Sequence, residues 1–454
     1  MSEPIGGSGR GLKLHTKILL GLLVGAVLGV AGNLVLGADH PLVAATNHYL
    51  ANPVGQVFLR MLFMIVVPLV FASISLGVAG LGDIRRVGRV GGKAIGYFFG
   101  STALAATLGL LLVGTIRPGE ALEPSVRAEL LATYSADAST RIEAAATASQ
   151  SFGVQTLVNI VTRNPVKSAA DLDMLGIIFF GLMVGAALTM IPEERARPLV
   201  DVLQAVEDVV IKIVEIAMKL APVGVAGLIF GVTSRFGFEL LVPLAEYVAV
   251  VLGALLLHVV VNLAAIVRFL IGMSPVRYFA RLRSALVTAF STSSSSATLP
   301  AALATAEANL GLPPHIAGFV LPLGSTMCMN GTALFEGITV IFLCQVFGVE
   351  LGVGKMIVVM MMSVITAIGA AGVPGGSIPL LVGILAMFGV PPEGIAIILG
   401  IDRILDMSRT TVNVAGDITA AAWVARSEGV WDPSMVPERY GLNHIEPEDV
   451  VAHT

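Results

Sequence analysis

Residues 394–426, GIAIILGIDRILDMSRTTVNVAGDITAAAWVAR, are long and apolar enough to cross a bilayer, yet they carry Asp402, Arg403, Asp406, Arg409, Asn413 and Asp417. A charge at the centre of a membrane costs roughly 2.5–3.5 kcal/mol on insertion scales, so five ionisable groups in one span need internal partners or a ligand. At about 100° per residue, Asp402, Asp406, Arg409, Asn413 and Asp417 fall within an arc of roughly 80° on one helix face. Ion pairs that lock neighbouring helices would satisfy part of that face. Asn413 and the second and third aspartates exceed what Arg403 and Arg409 must balance, which points to a solute and ion site buried in a membrane protein.

Composition agrees. Of 454 residues, 56% are hydrophobic and 13% charged, with a mean hydropathy of +0.88, more apolar surface than a soluble fold of this length could cover. A net charge of −4 gives no case for a nucleic-acid partner. Cys328 and Cys344 share one apolar segment and imply no disulfide framework. The scattered histidines offer neither a metal cluster nor a Ser-His-Asp triad, so the chain does not read as an enzyme. The first apolar run lacks a small-residue cleavage site and continues into further spans, unlike a signal peptide.

Long apolar runs lie near 16–37, 53–80, 91–115, 172–191, 201–232 and 240–270. Each reaches the roughly 20 residues that a spanning helix needs. The 201–232 run is more amphipathic, carrying Asp201, Glu207, Asp208, Lys212, Glu215 and Lys219, so its polar face should look at water or another helix. Arg10, Lys13 and Lys17 precede span one, and Arg85, Arg86, Arg89 and Lys93 follow span two, whereas the loop between those spans has no Lys or Arg. By the positive-inside rule the amino terminus is cytoplasmic. Segment 116–171, rich in Ala, Ser, Thr and Glu, is then an extracytoplasmic mobile loop without chemistry.

Past Arg268 the pattern changes. A helical run over 276–310 is interrupted at Ser291-Thr292-Ser293-Ser294-Ser295-Ser296-Ala297-Thr298-Leu299-Pro300, and a second over 353–389 at Gly369-Ala370-Ala371-Gly372-Val373-Pro374-Gly375-Gly376-Ser377-Ile378-Pro379. Each flank is too short to span alone. Re-entrant hairpins fit, because irregular backbone at membrane depth is tolerated only against protein or a water-filled cavity. Hairpin then span occurs twice: 276–310 before 315–346, and 353–389 before 393–426. Paired broken segments of opposite orientation mark an inverted-repeat secondary transporter whose site lies where the tips meet. The first of these two spans carries Gly324-Ser325-Thr326-Met327-Cys328-Met329-Asn330-Gly331-Thr332 and, one turn on, Glu336. Gly331 suggests a local unwinding there. Glu336 reads either as a proton carrier or as a neutral, hydrogen-bonded structural residue.

At these residues the sequence resembles the dicarboxylate/amino acid:cation symporter family, which includes glutamate transporters and archaeal aspartate-transporting relatives. The resemblance runs from the first span to about Glu428. It rests on the serine-rich tip 293–300, Gly331-Thr332, Gly372-Val373-Pro374-Gly375, Asp406-Met407-Ser408-Arg409-Thr410, Asn413 and Gly416-Asp417. It implies an all-α polytopic membrane protein with eight transmembrane helices, two re-entrant hairpins and inverted repeats, working as an elevator-type homotrimer in the inner (cytoplasmic) membrane with both termini cytoplasmic. Residues 1–90 (spans one and two) and 172–232 (spans four and five) would be scaffold. Residues 91–115 (span three) and 240–426 would be the moving transport domain, and 427–454 a cytoplasmic tail.

By the same resemblance, Arg409 is the ligand for a substrate side-chain carboxylate and Asp406 the partner of its ammonium. Thr332, Asn413, Ser293, Ser295 and Val373 match contacts to the α-carboxylate and amine, and Thr410 lines the same face. Gly324, Asn413 and Asp417 match one sodium site, with Cys328 on the same stretch. Backbone near Thr326, Ala367, Ile368 and Ala370 would form a second in the gate. Family members often read Asn-Met-Asp-Gly-Thr where this chain has Cys328-Met329-Asn330-Gly331-Thr332. Fewer anionic ligands imply weaker cation binding at a third site made by Ser101, Thr102 and Asn330. Glu336 matches a proton-carrying glutamate of the proton-coupled animal branch, which makes H+ a second candidate coupling ion beside Na+.

A cation and an anion facing one ligand argue for uptake of L-glutamate or L-aspartate, since a plain C4-dicarboxylate would meet Asp406 unfavourably. A C4-dicarboxylate or neutral amino acid carrier is the alternative within the class. An ion channel fits less well, because paired opposite charges suit a zwitterion better than a pore ring. A serine hydrolase would need a base that the 291–296 run lacks.

Overall fold

The computed structural model describes residues 14–38, 40–79, 84–122, 161–170, 174–237, 241–368, 370, 372 and 374–436. Among these the chain is helical with no strand. The first half comprises α1 (Leu14–Leu36), α2 (Pro41–Thr46), α3 (Asn52–Phe63), α4 (Val66–Ala79), α5 (Ile84–Ile116), α6 (Pro165–Ala170), α7 (Met174–Met190) and α8 (Glu193–Phe236). Leu23, Val24, Val27, Leu28 and Val35 of α1 point outward, as an apolar surface facing hydrocarbon would. Its other face packs on α8.

The expected 201–232 span is the later part of a longer helix. α8 has 44 residues, so it is about 66 Å long against a hydrocarbon core of about 30 Å. Asp201, Asp208, Lys212, Glu215 and Lys219 are exposed on it, and Lys212 pairs with Glu215 at 2.9 Å. Of segment 116–171, Pro118–Ala121 forms a 3-10 turn and α6 a short helix, while 123–160 and 171–173 lie outside the described residues.

The second half holds the breaks. α9 (Leu241–Leu257) runs on through π-helical turns at His258–Leu263 and Ile266–Ile271, followed by α10 (Pro275–Arg281). Then come α11 (Arg283–Thr292) and α12 (Ser295–Ala304), α13 (Pro314–Met327) and α14 (Asn330–Val346), α15 (Val353–Ile368) and α16 (Ile378–Met387), and last α17 (Ala396–Ser427). Six helical stretches among the described residues are long and apolar enough to cross a membrane. α17 is not among them, and α8, α9, α11, α13 and α14 pack around it.

The serine run breaks its helix by capping chemistry. Ser293 takes a left-handed backbone (φ 52°), rare for a residue with a Cβ, and closes α11 by donating its N–H to Ala289 O at 2.9 Å. Ser294 then N-caps α12, its Oγ accepting the Ala297 N–H at 3.1 Å. One serine ends a helix and the next begins another.

The break between α13 and α14 is not where glycine suggested. It falls on Cys328 and Met329, and Gly331 lies inside α14. A Cβ on Gly331 would sit 2.5 Å from the carbonyl oxygen of Arg409 and 2.9 Å from its Cα. Close approach of two backbones, rather than unwinding, is what requires glycine there.

Candidate functional site

The charges of α17 are resolved largely within the helix. Arg409 donates from Nη2 and Nε to Asp406 Oδ1 at 2.8 and 3.1 Å, and from Nη1 to Asp402 Oδ1 at 3.1 Å. Its guanidinium lies over the Phe335 ring of α14, 4.2 Å from the centroid. Asp406 Oδ2 accepts the backbone N–H of Gly375 at 3.0 Å and faces Arg403 Nη1 at 3.6 Å. Two aspartates and two arginines make a neutral quartet, each at most 7% exposed, so its pairs are not weakened by solvent.

Asn413 lies one turn further along and works across helices. Its Oδ1 accepts the N–H groups of Gly331 and Thr332 at 2.7 and 3.3 Å, capping the start of α14 from outside. Its Nδ2 donates to Thr332 Oγ1 at 3.0 Å. Opposite, the two hairpin tips touch: Ser294 Oγ donates to Gly372 O at 2.5 Å, and Ser296 N does so at 3.3 Å.

Between tips and helices lies a cavity of about 20 Å³, room for one or two waters. Seven expected ligand-binding residues line it: Ser293, Ser295, Thr332, Asp406, Arg409, Thr410 and Asn413. The eighth, Val373, lies outside the described residues. Met329, Ala370, Gly372 and Ser377 complete the lining. Sequence reasoning did not single out Met329 or Ser377 as cavity-lining, or Phe335 as the ring beneath Arg409; an apolar residue or lone serine in an apolar run carries no signal until neighbouring helices are placed.

The expected cation ligands divide into groups. Asp417 is buried and its Oδ1 has no hydrogen-bond partner. That oxygen lies 2.9 Å from where a Gly324 side chain would begin, so glycine lets the carboxylate reach the α13 backbone. The buried Cys328 thiol lies on the same stretch and donates to Asn330 Oδ1 at 3.8 Å. An orphaned buried carboxylate oxygen beside main chain suits a hard monovalent cation. Among the described residues no group of His, Cys, Asp and Glu has the makings of a transition-metal centre.

Asn330 answers Ser101 and Thr102 of α5 directly. Its Nδ2 donates to Ser101 Oγ at 2.8 Å and its Oδ1 accepts from Thr102 Oγ1 at 2.9 Å, so amide and hydroxyls satisfy one another. Ala367 is buried near the end of α15, Ile368 ends that helix, and Ala370 lines the cavity; Thr326 bonds only to its own helix, at Leu323 O. Glu336 is buried, its Oε2 2.7 Å from Thr366 Oγ1 and its Oε1 without a partner.

Residues 14–427 match the Sodium:dicarboxylate symporter family. The chain belongs to that family. The proton/sodium-glutamate symport protein of Bacillus caldotenax is 34% identical over 423 residues, covering 93% of this chain and 96% of its own length. The proton/glutamate-aspartate symporter of Escherichia coli (strain K12) is 35% identical over 421 residues, covering 92% and 94%. The C4-dicarboxylate transport protein of Bacillus subtilis (strain 168) is 31% identical over 423 residues, covering 93% and 96%. As a sodium:dicarboxylate symporter family member the chain is a multi-pass membrane transporter coupled to a cation, and its buried charged helix is the polar interior that such a protein needs.

Proposed function

We propose that the chain takes up L-glutamate or L-aspartate together with sodium. The observation that carries this reading is one small buried cavity bounded by both a guanidinium, Arg409, and a carboxylate, Asp406. Arg409 presents a planar fork to a ligand's distal carboxylate, and Asp406 receives its ammonium. Ser293, Ser295, Thr332, Val373, Thr410 and Asn413 bound the remainder of the ligand. The ligand must open the Arg409–Asp402 and Arg409–Asp406 pairs and enlarge the cavity. Displacing the second hairpin tip, which donates Gly375 N–H to Asp406, enlarges the cavity, and the ligand's carboxylate then competes with the two aspartates for Arg409. That makes 353–389 the gate.

Charge balance supplies the coupling. The quartet is neutral, an acidic amino acid brings one negative charge and Asp417 another, so about two monovalent cations are needed in a low-dielectric interior. One sits at Asp417 with backbone of Gly324 and Asn413, beside Cys328; the other lies among the carbonyls near Thr326, Ala367, Ile368 and Ala370, available once the tip has closed on ligand. The neutral cluster of Asn330, Ser101 and Thr102 replaces a third. Glu336 carries a proton: Thr366 Oγ1 has one hydrogen yet lies 2.6 Å from Met362 O and 2.7 Å from Glu336 Oε2, and both contacts are satisfied when Glu336 donates.

The wider arrangement in this reading is eight spans and two hairpins in the inner membrane, termini cytoplasmic, in a homotrimer. The scaffold is 1–90 and 172–232, and an elevator domain of 91–115 and 240–426 moves past it. A C4-dicarboxylate carrier is the second reading, favoured by the Bacillus subtilis relative's name. Uptake of ²²Na into liposomes, measured with labelled aspartate, tests the main reading: sodium entry that depends on aspartate is expected. Aspartate binding that is equal in choline and sodium media refutes it.

A further inference from the structure

One buried guanidinium of the quartet balances charge there without making a hydrogen bond from its Nε or Nη1. Arg403 is buried beside the cavity wall, one turn before Asp406 on α17. It faces Asp406 Oδ2 at 3.6 Å, yet neither its Nε nor its Nη1 donates a hydrogen bond. Unfilled donors on a buried cation are costly, and a position that tolerates them holds the group in reserve for another state.

We propose that Arg403 is a specificity-determining residue: it replaces a missing ligand ammonium at Asp406 and so admits C4-dicarboxylates beside acidic amino acids. The inference rests on the ligand reading above. When a distal carboxylate draws the Arg409 fork away, Asp406 Oδ1 loses both of its hydrogen bonds from that residue and the carboxylate keeps only the Gly375 N–H. An amino acid restores the loss through its ammonium. A C4-dicarboxylate has none, and would leave Asp406 buried and nearly unpaired. Arg403 is placed to close that gap. Moving from 3.6 Å to the charge-assisted distance of about 2.8 Å needs only a side-chain adjustment, and its free Nη1 and Nε supply two donors where an ammonium would have come. Asp402, next to it in sequence, is released by Arg409 at the same moment, so Arg403 stands between two carboxylates that both gain negative character.

The test compares wild type, Arg403→Gln, Asp406→Asn and the double variant, as full-length protein in sodium-containing lipid nanodiscs, titrated with succinate and with L-aspartate. Wild type binds both. Arg403→Gln raises the ratio of succinate Kd to aspartate Kd by about tenfold or more, the scale of one desolvated charge contact. In the Asp406→Asn background the carboxylate to be offset is gone, so adding Arg403→Gln changes succinate affinity by less than about threefold. A ratio unchanged by Arg403→Gln, or succinate binding retained in Asp406→Asn but lost in the double variant, overturns the proposal. Should Arg403→Gln alone fail to fold, Arg403→Lys takes its place: it keeps the charge but offers one donor atom where the fork offers two, so it too raises the ratio of succinate Kd to aspartate Kd, and an unchanged ratio overturns the proposal. Wild type that binds aspartate but not succinate overturns this inference alone; wild type that binds neither ends the ligand reading on which it rests.

Discussion

Gly331→Ala is the most informative single methyl group that can be added to this protein. The new Cβ would lie 2.5 Å from Arg409 O and 2.9 Å from Arg409 Cα, where ordinary contact begins at 3.4 Å. Both neighbours are main chain in a fully packed helix, so no side chain can swing aside, and α14 and α17 must part by about 0.9 Å. The same movement stretches the Gly331 N–H bond to Asn413 Oδ1 from 2.7 Å to about 3.6 Å, beyond hydrogen-bonding range, and breaks the weaker one from Thr332 N. Overpacking of about 1–3 kcal/mol and two lost bonds of about 0.5–1.5 kcal/mol each sum to about 2–6 kcal/mol. Gly318→Ala on α13, where nothing lies within 4 Å of the added carbon, is the matched control. Thermal unfolding of both variants in the same detergent should place Gly331→Ala about 2–6 °C below the control, given an unfolding entropy of about 1 kcal/mol/K for a chain of this length. Its aspartate affinity should fall too, because Thr332 of α14 and Arg409 of α17 both line the cavity. Equal melting of the two variants would refute the claim that this glycine sets the helix spacing.

The other expectations concern single groups in the site. Arg409→Ala removes the cation shared by Asp402 and Asp406, so aspartate binding should vanish and stability fall by about 3–5 kcal/mol, read by ligand titration and unfolding; a variant as stable as the parent would mean that those pairs carry nothing. Asn330→Asp puts a charge between Ser101 and Thr102, and should steepen the sodium dependence of aspartate binding by about one further ion; an unchanged slope would count against the neutral-cluster reading. Glu336→Gln keeps the Thr366 contact but has no proton to give up, so sodium-driven uptake should persist while the response to an imposed pH gradient disappears. A surviving response would exclude Glu336 as the carrier.

Much of the site is legible in one dimension because helix geometry is local. Residues three, four and seven apart share a face whatever surrounds the helix, and so Asp402, Asp406, Arg409, Asn413 and Asp417 announce a polar stripe before any partner is known. Serines in succession announce a break in the same way, since their hydroxyls cap helix ends. Gly331 is ambiguous in sequence for the complementary reason: a glycine permits unusual backbone or close approach, and only the neighbouring helix tells which.

What residue order determined, then, is which groups lie at membrane depth and which face of α17 carries them. Tertiary structure alone decided how each is satisfied. Arg409 folds onto its own helix and over Phe335, the Asn413 amide caps α14, Asn330 meets Ser101 and Thr102 more than two hundred positions away, and Arg403 is left with unfilled donors. Those outcomes follow from which helices pack against α17 and how closely, a property of many side-chain volumes acting together that no local spacing rule contains.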